Sequence, residues 1–299
     1  MSMIRPVGEP PTGSDGEPRG PTVLRMMLGS QLRRFRERAR VTPEQAAYEI
    51  RASRSKISRM EHGRVGFKNR DVADLLALYG VDDEQVRARM LALAEEAGTP
   101  GWWSKYDDVL PDWFEAYLGL EGAASVIRTF DLQFVYGLFQ TEAYARAVTL
   151  LGNRTASAEE IDRRVSVRLK RQAVLAGPEP PQVWSVMDEA VLRRSVGGRR
   201  VMRAQLTHLI EVASLPRVTI QVVPFARGGH AAAGGSFTVL RFAEPELPDI
   251  VYIEQLTSAL YLDKRETVDH YLAVMERLCL EATPSSSTAK IISSVLRDG

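Results

Sequence analysis

Cysteine is nearly absent from this 299-residue sequence. Its single thiol, Cys279, has no partner for an intramolecular disulfide and cannot build a cysteine-based zinc cluster, a usage suited to a reducing cytoplasm. Long apolar runs are missing too, since none approaches the ~20 residues of a membrane span. The start, MSMIRPVGEPPTG, lacks a signal-peptide hydrophobic stretch. A cytoplasmic protein that does not cross a membrane is expected. Histidine is scarce, with four residues in all. His208 and His270 read as having no ligand partner three or four residues on, so no metal is expected. No P-loop, dinucleotide fingerprint or G-x-S-x-G elbow occurs, and no cofactor is implied.

Net charge is small as well, +1 at pH 7, which taken alone argues against a polyanion as partner. Its distribution argues the opposite. Residues 22–70 hold thirteen Lys/Arg against four Asp/Glu, a net +9. The remainder holds 26 basic and 34 acidic residues, a net −8. Charge segregated in this way suggests a module for a polyanion joined to something else.

Residues 1–21 contain five prolines and four glycines and almost nothing apolar, so a disordered arm is expected. Residues 22–96 read as five short amphipathic helices. The first carries Leu24, Leu28, Leu32, Phe35 and Ala39 on one stripe. Gly80 and the pair Asp82–Asp83 separate the fourth from the fifth, as a stop and an N-cap. AGTPG at 97–101 is a linker. Six of the chain's 22 aromatics then fall within 16 residues, from Trp102 to Tyr117, and read as a core that seats the first domain on the next. Residues 102–176 read as helical. Beyond GPEPP at 177–181, residues 182–299 read as α+β with a mixed sheet. At least four strands are expected there, at 183–188, 217–225, 236–242 and 249–255, with helices at 201–214, 266–280 and 290–296. The fold class is therefore multi-domain: an all-α five-helix domain, a helical segment and an α+β domain.

The strongest local signal is VTPEQAAYEIRASRSKISRMEHGR at 41–64. Thr42 is an N-cap, Pro43 sits where a missing N–H costs nothing, and Gln45 completes a capping box. Ala46, Ala47 and Ile50 face inward, and Ser53 can cap a second helix. On that helix Ile57 and Met60 point inward, while Ser55, Ser58, Arg59 and His62 share the outer face. Two short helices joined by a tight turn, the second faced with hydroxyl and guanidinium groups, fit a DNA major groove.

These residues, with LRRFRE before them, resemble the phage-repressor-like (XRE, Cro/CI-type) helix-turn-helix regulators. The resemblance implies that Arg54, Ser55 and Arg59 face base edges, with Lys56 and Ser58 nearby. It implies phosphate contacts from Thr42, Arg64, Lys68 and Arg70, and a structural ion pair between Arg36 and Glu61. His62 is expected to face solvent or phosphate. The family often has glutamine where Pro43 stands and glycine where Arg51 stands. The chain from about residue 22 onward also resembles actinobacterial regulators that fuse such a domain to a large C-terminal domain of unassigned function, often described as antitoxin-like. The matching segments are GWW at 101–103, DWFEAYLGLE at 112–121, GLFQTEAYARA at 137–147, RLKRQAVL at 168–175, MDEAVLRR at 187–194, PFARGGHAAAGGSFTVLRF at 224–242 and YIEQLTSALYLD at 252–263. Tyr136 and Phe139 depart from the usual proline and leucine. This resemblance implies a small protein partner encoded nearby.

In the C-terminal part, two groups of residues are candidates for binding an effector or partner. His230 lies in the glycine-rich loop 228–235, where backbone N–H groups could approach an anion; the same loop also reads as a plain hairpin connection. Arg164, Arg168 and Arg171, with Gln172 beside them, share one helix stripe that suits a phosphate or an acidic partner, or ion pairs with Glu159, Glu160 and Asp162. Asp188 reads as an N-cap. The expected function is a non-enzymatic, sequence-specific DNA-binding regulator, a homodimer on a pseudo-palindromic operator, whose C-terminal domain meets a small protein or effector. The rivals are an antitoxin-type interaction protein with autoregulatory DNA binding, and an enzyme acting on a nucleotide through His230, Asp188 and Glu254.

Overall fold

The computed structural model describes residues 21–298 except Glu246. The expected arm at 1–21 thus lies outside the described residues, apart from Pro21, which opens the first helix. Five helices follow in the order expected: α1 (Pro21–Arg38), α2 (Pro43–Glu49), α3 (Arg54–Glu61), α4 (Asn69–Leu78) and α5 (Glu84–Ala97). Their boundaries are set by local chemistry. Gly80 adopts a φ of 69° after α4, and the Asp83 carboxylate accepts the Gln85 and Val86 N–H groups to start α5. Leu28, Leu32, Ile57, Met60, Leu75 and Met90 form the centre of the helical core.

Next comes a 3-10 turn (Trp102–Tyr106), then α6 (Asp112–Ala123), β1 (Val126–Asp131), α7 (Glu142–Gly152), α8 (Ala158–Arg171) and β2 (Gln182–Asp188). The chain continues through α9 (Glu189–Arg193), α10 (Arg199–Val212), β3 (Val218–Val223), β4 (Phe237–Arg241), β5 (Ile250–Glu254), β6 (Ala259–Leu262), α11 (Arg265–Glu281) and α12 (Thr288–Asp298). The described strands form one six-stranded sheet in the order β3-β2-β1-β4-β5-β6. β1, β2 and β3 run parallel, and β4, β5 and β6 pair antiparallel.

Residues alternate across the sheet. Ile127, Val183, Met187 and Leu240 join one core with α10 and α12, and Phe130, Val186, Val239 and Val251 join another beneath α11. The α+β expectation holds, with one correction. The stretch 102–176 is not wholly helical, because β1 lies within it and is a central strand. VIRTFD is rich in β-branched and aromatic side chains, but six residues between long helical patterns give too little periodicity to stand out. β6, four residues long, is shorter still and gives even less pattern to read.

α1 belongs to two cores. Leu28 and Leu32 sit in the helical core, whereas Val23 and Met26 pack into the core of the α+β domain. Two glycines permit the approach. A Cβ on Gly119 of α6 would overlap the Thr22 side chain, and one on Gly29 would overlap the Met60 carbonyl at the end of α3. Of the aromatic run, Tyr117, with Trp113 and Phe114 against it, shares a core with Val23 and Met26 of α1, whereas Trp103 and Tyr106 cluster with Leu118 and Val167 and with no residue of α1–α5.

Candidate nucleic-acid interface

The α2–turn–α3 unit is built by its caps. The Thr42 hydroxyl accepts the Gln45 N–H at 3.2 Å while Gln45 Oε1 accepts the Thr42 N–H at 2.8 Å. The Ser53 hydroxyl accepts the Lys56 N–H at 3.1 Å. Between the helices Arg51 has a φ of 53°, the left-handed conformation that glycine adopts at low cost. The turn therefore keeps its shape without the glycine usual there. Since a left-handed non-glycine residue costs about 1–2 kcal/mol and glycine's flexibility takes back part of that, Arg51→Gly should raise stability by about 0.5–1 kcal/mol. Urea unfolding checks this; a loss of stability would mean that the Arg51 side chain contributes more than its backbone costs.

Behind the turn, Arg36 forks onto Glu61 at 2.5 and 2.9 Å, both buried, and fixes α1 against α3. This pair agrees with the resemblance and removes both residues from any outward role. The outer face of α3 is open. Arg54, Ser55, Ser58 and Arg59 are exposed, with Arg54 paired to the exposed Glu44 at 3.1 Å. Lys68 and Arg70 are exposed beyond it. Tyr48 on α2, 87% exposed, stands on the same unit. Nothing singled it out in the sequence, although it falls off the inward positions 46, 47 and 50. Lys56 is partly committed, since its ammonium lies 2.7 Å from Asp71.

Two residues expected to meet solvent or phosphate face the α+β domain instead. Arg64 donates to the Tyr261 carbonyl at 2.8 Å, lies 3.3 Å from the Asp263 carboxylate and sits over the Tyr261 ring. His62 Nε2 is 3.2 Å from the same carboxylate. The reason is electrostatic: Asp263, at the end of β6, is a fixed acceptor, whereas solvent offers no fixed partner. Arg64 also covers the edge of β6, whose Tyr261 carbonyl would otherwise be open.

The C-terminal candidates are not brought together as one site. Arg171 is buried and forks onto Glu121 at 2.7 and 2.8 Å, and Gln172 donates to the Gln140 carbonyl at 2.6 Å. Both are therefore structural rather than available to a partner, a correction of the expected stripe. Arg164 pairs with Glu160 one turn away, and Asp162 with Arg146. Arg168 makes no ion pair among the described residues; burial and the neighbouring Arg171 lower its guanidinium to about 10. His230 Nδ1 accepts the Ala232 N–H, its ring meets the edge of Phe130, and Nε2 lies 3.8 Å from Asp188. Asp188 caps α9 by accepting the Ala190 N–H, as expected. Glu254 accepts from the Tyr252 hydroxyl. His208 does have a neighbour three residues on, Glu211 at 3.4 Å, as an exposed pair on α10.

Compared with known proteins, residues 27–89 match the model of a helix-turn-helix domain, and residues 114–294 match that of a domain of unknown function, DUF5753. No curated protein and no solved structure matches.

Proposed function

Because the chain belongs to the DUF5753 family and carries a helix-turn-helix domain ahead of it, we propose that it is a sequence-specific DNA-binding transcriptional regulator of the cytoplasm. The observation that carries this reading is the capped α3 with an open face of Arg54, Ser55, Ser58 and Arg59, inside a segment of net +9. Arg54 and Arg59 read guanine edges, where each two-donor contact is worth about 1–3 kcal/mol of discrimination. Ser55, Ser58 and Lys56 lie alongside. Thr42, Lys68 and Arg70 bind phosphates, which sets register without reading sequence. Arg64 joins them only by leaving Asp263. The protein acts as a homodimer on a pseudo-palindromic operator, because one short helix reads few bases. The C-terminal domain receives a small protein partner or an effector and changes DNA affinity. Catalysis is not part of the proposal, since His230 and Asp188 spend polar atoms on the loop and the cap.

In a binding assay at fixed salt, Arg54→Ala/Arg59→Ala should abolish preference for the operator over unrelated DNA. Lys68→Ala should weaken all DNA alike and shallow the log-log salt slope by about 1. Selective binding that survives the double substitution would refute this placement of the recognition helix.

A further inference from the structure

We propose that the groove between the Trp102–Tyr106 turn, α6 and the end of α8 binds a small planar organic anion, its apolar body on Trp102 and its acidic group at Lys170. The groove has a volume of about 390 Å³, within the range of small-molecule sites, which favour apolar walls, a few placed polar groups and domain junctions. Trp102, Leu118 and Val174 supply the walls, and the Glu121–Arg171 pair lies at the base.

Trp102 is 39% exposed, yet its ring is held edge-on against Trp103 at 5.9 Å and Tyr106 at 6.4 Å. A rigid, open indole face is a stacking surface with its entropy already spent. The sign of the ligand follows from the cations around it. Arg171 is neutralised by Glu121 and Arg163 by Asp108. Lys170 and Lys105 sit over the Tyr106 ring at 5.0 and 5.7 Å, and among the described residues neither makes an ion pair. Lys170 lines the groove and Lys105 stands behind it on the same ring, so the rim is positive, an anion is favoured and a cation repelled.

The groove also lies where occupancy can reach DNA. Its Leu118 and Glu121 are on α6, which carries Gly119, the point on which the start of α1 rests. In this respect the inference rests on the regulator reading and gives its effector a chemical class.

The test uses the full chain and 1-anilinonaphthalene-8-sulfonate, an aromatic sulfonate, titrated with tryptophan excitation. Saturable one-site binding is expected, with energy transfer diminished by Trp102→Phe. Gly122→Phe should weaken it about tenfold or more by filling the groove, since a Cβ at 122 meets nothing within 4 Å, and an unchanged thermal midpoint checks that the fold is kept. Lys170→Gln, on an exposed side chain, should also weaken it about tenfold. The uncharged analogue N-phenyl-1-naphthylamine should bind correspondingly less well. Unchanged titration of both variants, or equal binding of the uncharged dye, overturns the site. Binding that leaves operator affinity unaltered overturns its role as effector site. Loss of operator selectivity in the Arg54/Arg59 variant is a separate readout, which distinguishes failure here from failure of the DNA-binding reading.

Discussion

Replacing Glu121 with alanine should destabilise the protein by about 3–5 kcal/mol, because it leaves a buried charge without its partner. Glu121 accepts four hydrogen bonds from buried donors: two from Arg171, one from the Tyr117 hydroxyl at 2.8 Å and one from the Tyr136 hydroxyl at 2.7 Å. Burial, reinforced by the Glu121 charge, holds both phenols well above their usual range, so they remain protonated donors. The Arg171 guanidinium also lies 5.3 Å from the centres of the Phe114 and Tyr117 rings. Glu121→Gln should cost less, since the amide oxygen still accepts two of the donors. Glu121→Leu/Arg171→Leu should cost less than Glu121→Ala, because no buried charge remains. Thermal unfolding is the readout, with a fall of about 10 °C for Glu121→Ala in a domain of this size. A loss under about 1 kcal/mol would show that water reaches the pair.

The second large effect concerns pH. Burial pushes the Asp131 carboxyl up to about 7, with the Thr129 hydroxyl bond at 2.9 Å opposing the rise. In the unfolded chain the same group titrates near 4. Between those values the folded state holds a proton that the unfolded state has released, so stability falls as pH climbs. The loss begins above about pH 4, is complete above about pH 7 and amounts to at most about 4 kcal/mol. Asp131→Asn keeps an acceptor for Thr129 and carries no charge. It should exceed the parent in stability at pH 8, with the gap shrinking by about 2–3 kcal/mol by pH 5. Urea unfolding of the pair at both values isolates this group, since every other side chain is common to the two proteins. A gap independent of pH would mean that Asp131 is ionised in the fold at little cost.

The sequence revealed what is decided over a few residues. The α2–turn–α3 unit was legible because its caps lie three residues from the N–H groups they satisfy, and its inward positions repeat at helical spacing. The strands at 182–188 and 250–254 were legible because turn signals bound them. What escaped was set by distant pairings. Periodicity put Arg164, Arg168 and Arg171 on one stripe but could not say that α6, 50 residues earlier, presents Glu121 to the last of them. No local pattern links Arg64 to Asp263, which is 199 residues away. At Arg51 the side chain misled, because the backbone adopts the glycine conformation regardless.

The shared helix has a mechanical meaning. Among the described residues, the helix-turn-helix domain meets the rest of the molecule through three separated mounts: the peptide chain at 97–101, the start of α1 seated on Gly119, and Arg64 with His62 on Asp263. A body held at one point swivels, one held at two turns about the line between them, and one held at three is fixed. Of these mounts the ion pair is polar and partly exposed, whereas the start of α1 is set into a buried apolar core. α1, about 27 Å long at 1.5 Å per residue, runs from that core to its packing against α3, so a tilt at its seat would be carried along a rigid lever to the exposed face of α3.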